Sequence, residues 1–152
     1  MKKMGNTMKW VYDDGGCSNY YKGPAYDCVT RAIAIATGRD YKEVLDMVNE
    51  YVSKEPLDDK YVRNARNGVK KEIADKLLKD MGYKWVPTMK FGSGCTVRLR
   101  ENELPGGTII VKLSKHLCCI KDKVIHDVFD PTRDYGQGST RCVYGYWIIK
   151  EG

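Results

Sequence analysis

His116-Leu-Cys-Cys-Ile-Lys-Asp-Lys-Val-Ile-His-Asp-Val-Phe-Asp130 is a pair of largely apolar runs on either side of a polar break at Lys121-Asp122-Lys123. Runs of this kind around a short polar break predict a β-hairpin. A two-residue turn pairs Lys121 with Val124, Ile120 with Ile125 and Cys118 with Asp127. His116, Cys118, Ile120, Ile125, Asp127 and Phe129 then share one face of the hairpin. Asp127 becomes a diagonal neighbour of His116, about 7–8 Å away between backbones and within side-chain reach. A three-residue turn shifts the pairing by one and puts Asp130 on the histidine's face instead. The two-residue register collects the more apolar set, so Asp127 is the preferred acid and Asp130 the alternative.

Outward from this hairpin, Lys84 to Thr88, Thr108 to Leu113 and Cys142 to Ile149 also read as strands. They are separated by Gly92-Ser-Gly94, Pro105-Gly-Gly107 and the stretch 131–140. Upstream the period changes to that of helices. Asp27 stands as an N-cap before Cys28-Val-Thr-Arg-Ala-Ile-Ala-Ile-Ala-Thr37, and Gly38 ends that helix. Arg31 is the one charge inside it, so the helix is expected to be largely buried. Asp40 and Glu43 have the spacing of a capping box ahead of a stripe through Tyr41, Val44, Leu45, Val48, Tyr51 and Val52. A third helix is expected over Gly68 to Met81. Helices followed by strands imply an α+β fold, with N-terminal helices packed on a C-terminal antiparallel sheet. The 152 residues fit a single domain, 1–152, in which 1–15 form a peripheral arm or an edge strand.

The formal charge of +6 comes from Lys and Arg scattered among acids, which favours solubility and does not by itself identify a nucleic-acid binder. Met1-Lys2-Lys3 carries the charge of a signal peptide's start, but Lys9 and Asp13-Asp14 replace the apolar stretch that would follow. No segment reaches transmembrane length. The chain is therefore expected in a reducing cytoplasm, away from membranes. Its six cysteines are expected to be free thiols, because no Cys-x-x-Cys pair is present and disulfide scaffolds belong to short exported chains. No metal and no cofactor are expected.

Tyr26-Asp27-Cys28-Val29 places a thiol in the first turn of a helix, where unpaired N–H groups and the helix dipole favour the thiolate. Only two histidines are present, His116 and His126, so an imidazole base is one of them. His116 begins a strand after a short break, where its ring can project into a cleft. A helix-start thiol, a strand-start histidine and an acid on the next strand stand in the order of a nucleophile–base–orienter triad.

Those segments resemble the papain-like cysteine hydrolase superfamily, in particular its small bacterial and phage branches of the C39-type and NlpC/P60-like kind. Asp27-Cys28 with its alanine-rich helix is similar to the C39-type Cys segment. His116 to Asp130, with Val143-Tyr-Gly-Tyr-Trp147 after it, is similar to a phage-encoded cysteine-hydrolase-like group. The resemblance implies a papain-like fold over residues 20 to 149. It also implies a thiol-dependent hydrolase of peptide, isopeptide or related acyl bonds, acting on a protein or peptide substrate, with Cys28, His116 and Asp127 catalytic. The superfamily places a Gln a few residues before its Cys as an oxyanion donor. Lys22 stands there in this chain and the one Gln is Gln137, which leaves Asn19 or the Cys28 backbone N–H for that role. Two other functions fit the residues: a papain-like scaffold used as a binding or inhibitory protein, and a nucleic-acid-binding module built on the tyrosines and nearby basic residues. No nucleic-acid motif accompanies those rings, so nucleic acid is not the expected partner.

Overall fold

The computed structural model describes residues 7–22, 27–54, 69–89, 92–134 and 138–149. Tyr26, the expected helix start at Gly68, and Gln137 lie outside the described residues. Helix α1 covers Cys28–Thr37 and stops at Gly38, whose φ of 71° is the left-handed value that glycine reaches without a Cβ penalty. Helix α2 covers Tyr41–Ser53, capped by the Asp40 carboxylate, which accepts from the Lys42 N–H at 3.2 Å. Glu43 does not complete the expected box; its carboxylate pairs with Arg39 at 2.8 Å, one turn back. Helix α3 covers Lys71–Asp80 and buries Ile73, Ala74, Leu77 and Leu78 at helical spacing.

The strands are β1 (Lys9–Tyr12), β2 (Tyr83–Pro87), β3 (Thr108–Leu113), β4 (His116–Lys121), β5 (Val124–Asp127) and β6 (Gly145–Ile149). Among the described residues they form one six-stranded sheet in the order β1-β5-β4-β3-β6-β2. The expectation of an all-antiparallel sheet is corrected here: β1 runs parallel to β5, with Lys9 beside Val124 and Tyr12 beside Asp127. Strand β5 would otherwise be an open edge with unpaired backbone groups, and the N-terminal segment pairs with it. The remaining ladders are antiparallel. The α+β class holds, with a mixed sheet.

The hairpin β4–β5 has the two-residue turn, with Lys121 opposite Val124 and Ile120 opposite Ile125. Asp122 and Lys123 both have positive φ, 46° and 68°, as a turn matched to the right-handed strand twist requires. Strand β3 is buried on both faces, which explains its unbroken apolar run. Ile110, with Leu117 and Trp147, packs under the helices; Ile109, Val111 and Leu113, with Cys118, Ile120 and Ile125, pack under Leu99, Leu104 and Val143.

The second face brings a further correction. Residues 97–99 run antiparallel to 141–143, with Leu99 N–H donating to Arg141 at 2.8 Å and Val143 N–H to Val97 at 2.9 Å. That pairing brings Cys95 and Cys142 to a Cα separation of 5.8 Å, and the two form a disulfide across 47 residues of sequence. Cys17, Cys28, Cys118 and Cys119 are not in disulfides. Among the described residues, no helix is long and apolar enough to cross a membrane.

Candidate active site

Cys28 is the first residue of α1 and His116 the first of β4; both line one cleft, and each shifts the other's pKa. His116 Nε2 lies 2.5 Å from Asp127 Oδ2, which leaves the other ring nitrogen for the thiol. Asp127 is itself held in place. Its Oδ1 accepts from the Val128 N–H at 2.7 Å, and its backbone carbonyl accepts from Trp10 Nε1 and the Asp13 N–H, both at 3.0 Å. The parallel strand β1 therefore fixes the acid that orients the imidazole. Phe129 packs its ring on that of His116, with centroids 4.9 Å apart.

The electrostatics follow from these partners. Burial alone would push the Cys28 thiol up, but the His116 hydrogen bond and charge, the Leu117 backbone N–H and the Arg31 charge together bring it below its ordinary value. Burial alone would likewise lower His116, but Asp127 and Cys28, by hydrogen bond and charge, raise it above its ordinary value. Both shifts favour the same state, a thiolate beside an imidazolium. The neighbouring thiols behave in the opposite way. Full burial pushes Cys118 well up, and burial pushes Cys119 up to about 12.

Asp27 does not cap α1. Its carboxylate makes no cap hydrogen bond; Oδ1 pairs with Arg31 and Oδ2 accepts from the Tyr41 hydroxyl at 2.5 Å. The Asp27 side chain thus leaves the first turn of α1 to other partners, and its charge, next to the thiol in sequence, is balanced by Arg31. Arg31 also faces Asp127 Oδ1 at 3.6 Å. Arg31, Asp27 and Asp127 are 7%, 2% and 2% exposed, so this is a buried network that ties the helix bearing the thiol to the strand bearing the acid. Sequence reasoning missed this role for Arg31. Its signal was a lone charge on an apolar helix, one turn after an aspartate.

The other expected residues lie elsewhere. Asp130 is exposed and accepts from the Thr132 N–H at 2.9 Å, ending the strand rather than reaching His116. Asn19 is exposed at the end of a short 3-10 helix, Cys17–Asn19, and does not line the cleft. Lys22 does line it. His126 faces Asp13 at 3.0 Å, on the opposite side of β5 from Asp127.

Cys28 and His116 open into a cleft of about 870 Å³. The loop before α1, the start of α3, the β3–β4 turn and the end of β5 wall it, with Ala74, Leu78 and Trp147 as its apolar floor. That volume is of the size that holds a ligand. His116, Cys118 and Asp127 also present ligand atoms within 4.8 Å of one another, a spacing a metal ion could use. His116 and Asp127 are already committed to each other, Arg31 faces the acid, and burial keeps the Cys118 proton on sulfur. Those partners favour a proton-bearing triad over a cation. No protein-family model, curated protein or solved structure matches the chain.

Proposed function

We propose that the chain is a papain-like, thiol-dependent hydrolase of peptide, isopeptide or related acyl bonds. The observation that carries this reading is the continuous line from the Cys28 thiol through His116 to Asp127, opening on a cleft at the start of a helix. The thiolate attacks the acyl carbon, forming a C–S bond and a tetrahedral oxyanion. His116 gives its proton to the leaving nitrogen, and the C–N bond breaks to leave an acyl-cysteine. A water then attacks the acyl carbon while His116 takes its proton. The C–S bond breaks, releasing the acid and the thiolate. The Cys28 backbone N–H, at the start of α1, and the Lys22 ammonium, which lines the same cleft, serve as oxyanion donors in place of the missing Gln.

The test is acylation by p-nitrophenyl acetate, followed as p-nitrophenolate release and as acetyl mass on the Cys28 peptide. Acetyl-Cys28 is expected to form and then to hydrolyse, giving turnover. Asp127→Asn should lower that turnover about tenfold or more, since the imidazole loses the partner that orients and charges it, while Asp130→Asn should leave it near the parent value. Acetyl-Cys28 that forms and never hydrolyses would instead indicate a binding scaffold. Loss of turnover in Asp130→Asn with Asp127→Asn unaffected would overturn the assignment of the acid.

A further inference from the structure

The cleft around Cys28 is basic. Its lining side chains include five cations, Lys22, Arg31, Lys71, Lys112 and Lys115, against three carboxylates, Asp14, Asp27 and Asp75. The carboxylates are all engaged: Asp27 with Arg31 and Tyr41, Asp75 with Lys71 at 2.6 Å, and Asp14 with the N–H groups of Gly16 and Ser18 at 3.0 Å each. Lys112 and Lys115 have no carboxylate partner among the described residues. Lys115 directly precedes His116, and its backbone is held at a φ of 54° in the β3–β4 turn. Lys112 stands opposite Leu117, whose N–H reaches the thiol. Two unneutralised ammonium groups thus belong to the same strand pair as the base, on the wall of a concave site, where their field adds.

We infer that the substrate carries negative charge beside the scissile acyl group, and that it is an acidic peptide segment. This rests on the acyl-transfer reading of Cys28. Peptide is favoured over nucleic acid because the site pairs these lysines with an acyl-directed thiolate and an apolar floor, Ala74, Leu78 and Trp147, that suits an aliphatic or aromatic side chain. Aspartate or glutamate side chains of the substrate face Lys112 and Lys115 while an apolar neighbour fills the floor.

Iodoacetate and iodoacetamide form the same C–S bond at Cys28 with loss of iodide, and differ in carrying a negative charge or none. The ratio of their rates, read by mass mapping of the Cys28 peptide, therefore reports the field of the cleft separately from the reactivity of the thiolate. In the full chain, Lys112→Gln/Lys115→Gln should lower the iodoacetate-to-iodoacetamide ratio about three- to tenfold at low salt, and about 0.5 M salt should compress the difference. Lys84→Gln, which removes an exposed lysine outside the cleft, should leave the ratio unchanged. An unchanged ratio in the double variant, or an equal fall in Lys84→Gln, would overturn the inference. Decapeptide pools rich in Asp and Glu should then protect Cys28 from iodoacetamide, with Lys-rich pools of the same apolar content failing to do so. Protection by neither pool, by both equally, or more strongly by single-stranded oligothymidylate would overturn the acidic-peptide assignment. Cys28 reacting with iodoacetamide no faster than Cys17 would strike the acyl-transfer reading itself, whatever the ratio does.

Discussion

His116→Ala is expected to lower p-nitrophenyl acetate turnover by roughly two to four decades, the range a positioned proton-transfer group contributes. The loss has two sources. The thiolate loses the hydrogen bond and positive charge that hold its pKa down, while the burial that pushes it up remains. The acyl-cysteine also loses the base that would activate water. The two separate experimentally: iodoacetamide alkylation of Cys28 at mildly acidic pH reads the first alone, and deacylation of acetyl-Cys28 reads the second. His126→Ala is the control, because that ring faces Asp13 and not the cleft. Turnover in His116→Ala equal to that of the parent would remove His116 from the mechanism.

Arg31→Met should be the most destabilising single change at the site. It fills a similar volume but leaves Asp27 and Asp127, both 2% exposed, without their cationic partner. Breaking a buried ion pair from one side costs about 3–5 kcal/mol, because the remaining charge is stranded in a medium that solvates it poorly. Asp127 keeps His116 and the Val128 N–H, so the larger penalty falls on Asp27, whose remaining partner is the Tyr41 hydroxyl. Adding Asp27→Asn to Arg31→Met should therefore restore a substantial part of the lost stability, whereas independent sites would give losses that add. Urea unfolding of the parent, both single variants and the double variant measures this. A loss below about 1 kcal/mol in Arg31→Met would show that water reaches the network, since exposed pairs have that magnitude.

The hairpin that begins at His116 was legible through its face. The turn left two registers open, and the face gathering Ile120, Ile125 and Phe129 selected the one that sets Asp127 near His116. Helix α1 was legible at both ends, from the polar residue before Cys28 and the glycine after Thr37. The role of Asp27 was not. An aspartate before a helix looks the same in sequence whether its carboxylate caps the helix or turns toward an arginine one turn along, and tertiary burial of Arg31 decided between them. Strand β1 spans four residues and owes its direction to an edge supplied more than a hundred residues later, so local pattern carried no sign of a parallel pairing. The same is true of Cys95 and Cys142, which meet through the irregular segments covering the second face of the sheet. Asn19 was selected for its proximity to Cys28 in sequence, and the short 3-10 helix turns it to solvent.

The most direct test of the thiolate–imidazolium pair is the pH dependence of iodoacetamide alkylation, mapped cysteine by cysteine in the unmodified chain. As pH falls through the lowered pKa of Cys28, the thiolate takes a proton and its reactivity is lost. The predicted inflection therefore lies below the ordinary thiol value of 9.0, beside a His116 that keeps its charge above the ordinary imidazole value of 6.5. Cys118 and Cys119, buried and pushed upward, should stay unmodified over the same range. A Cys28 inflection at or above 9.0 would contradict the account.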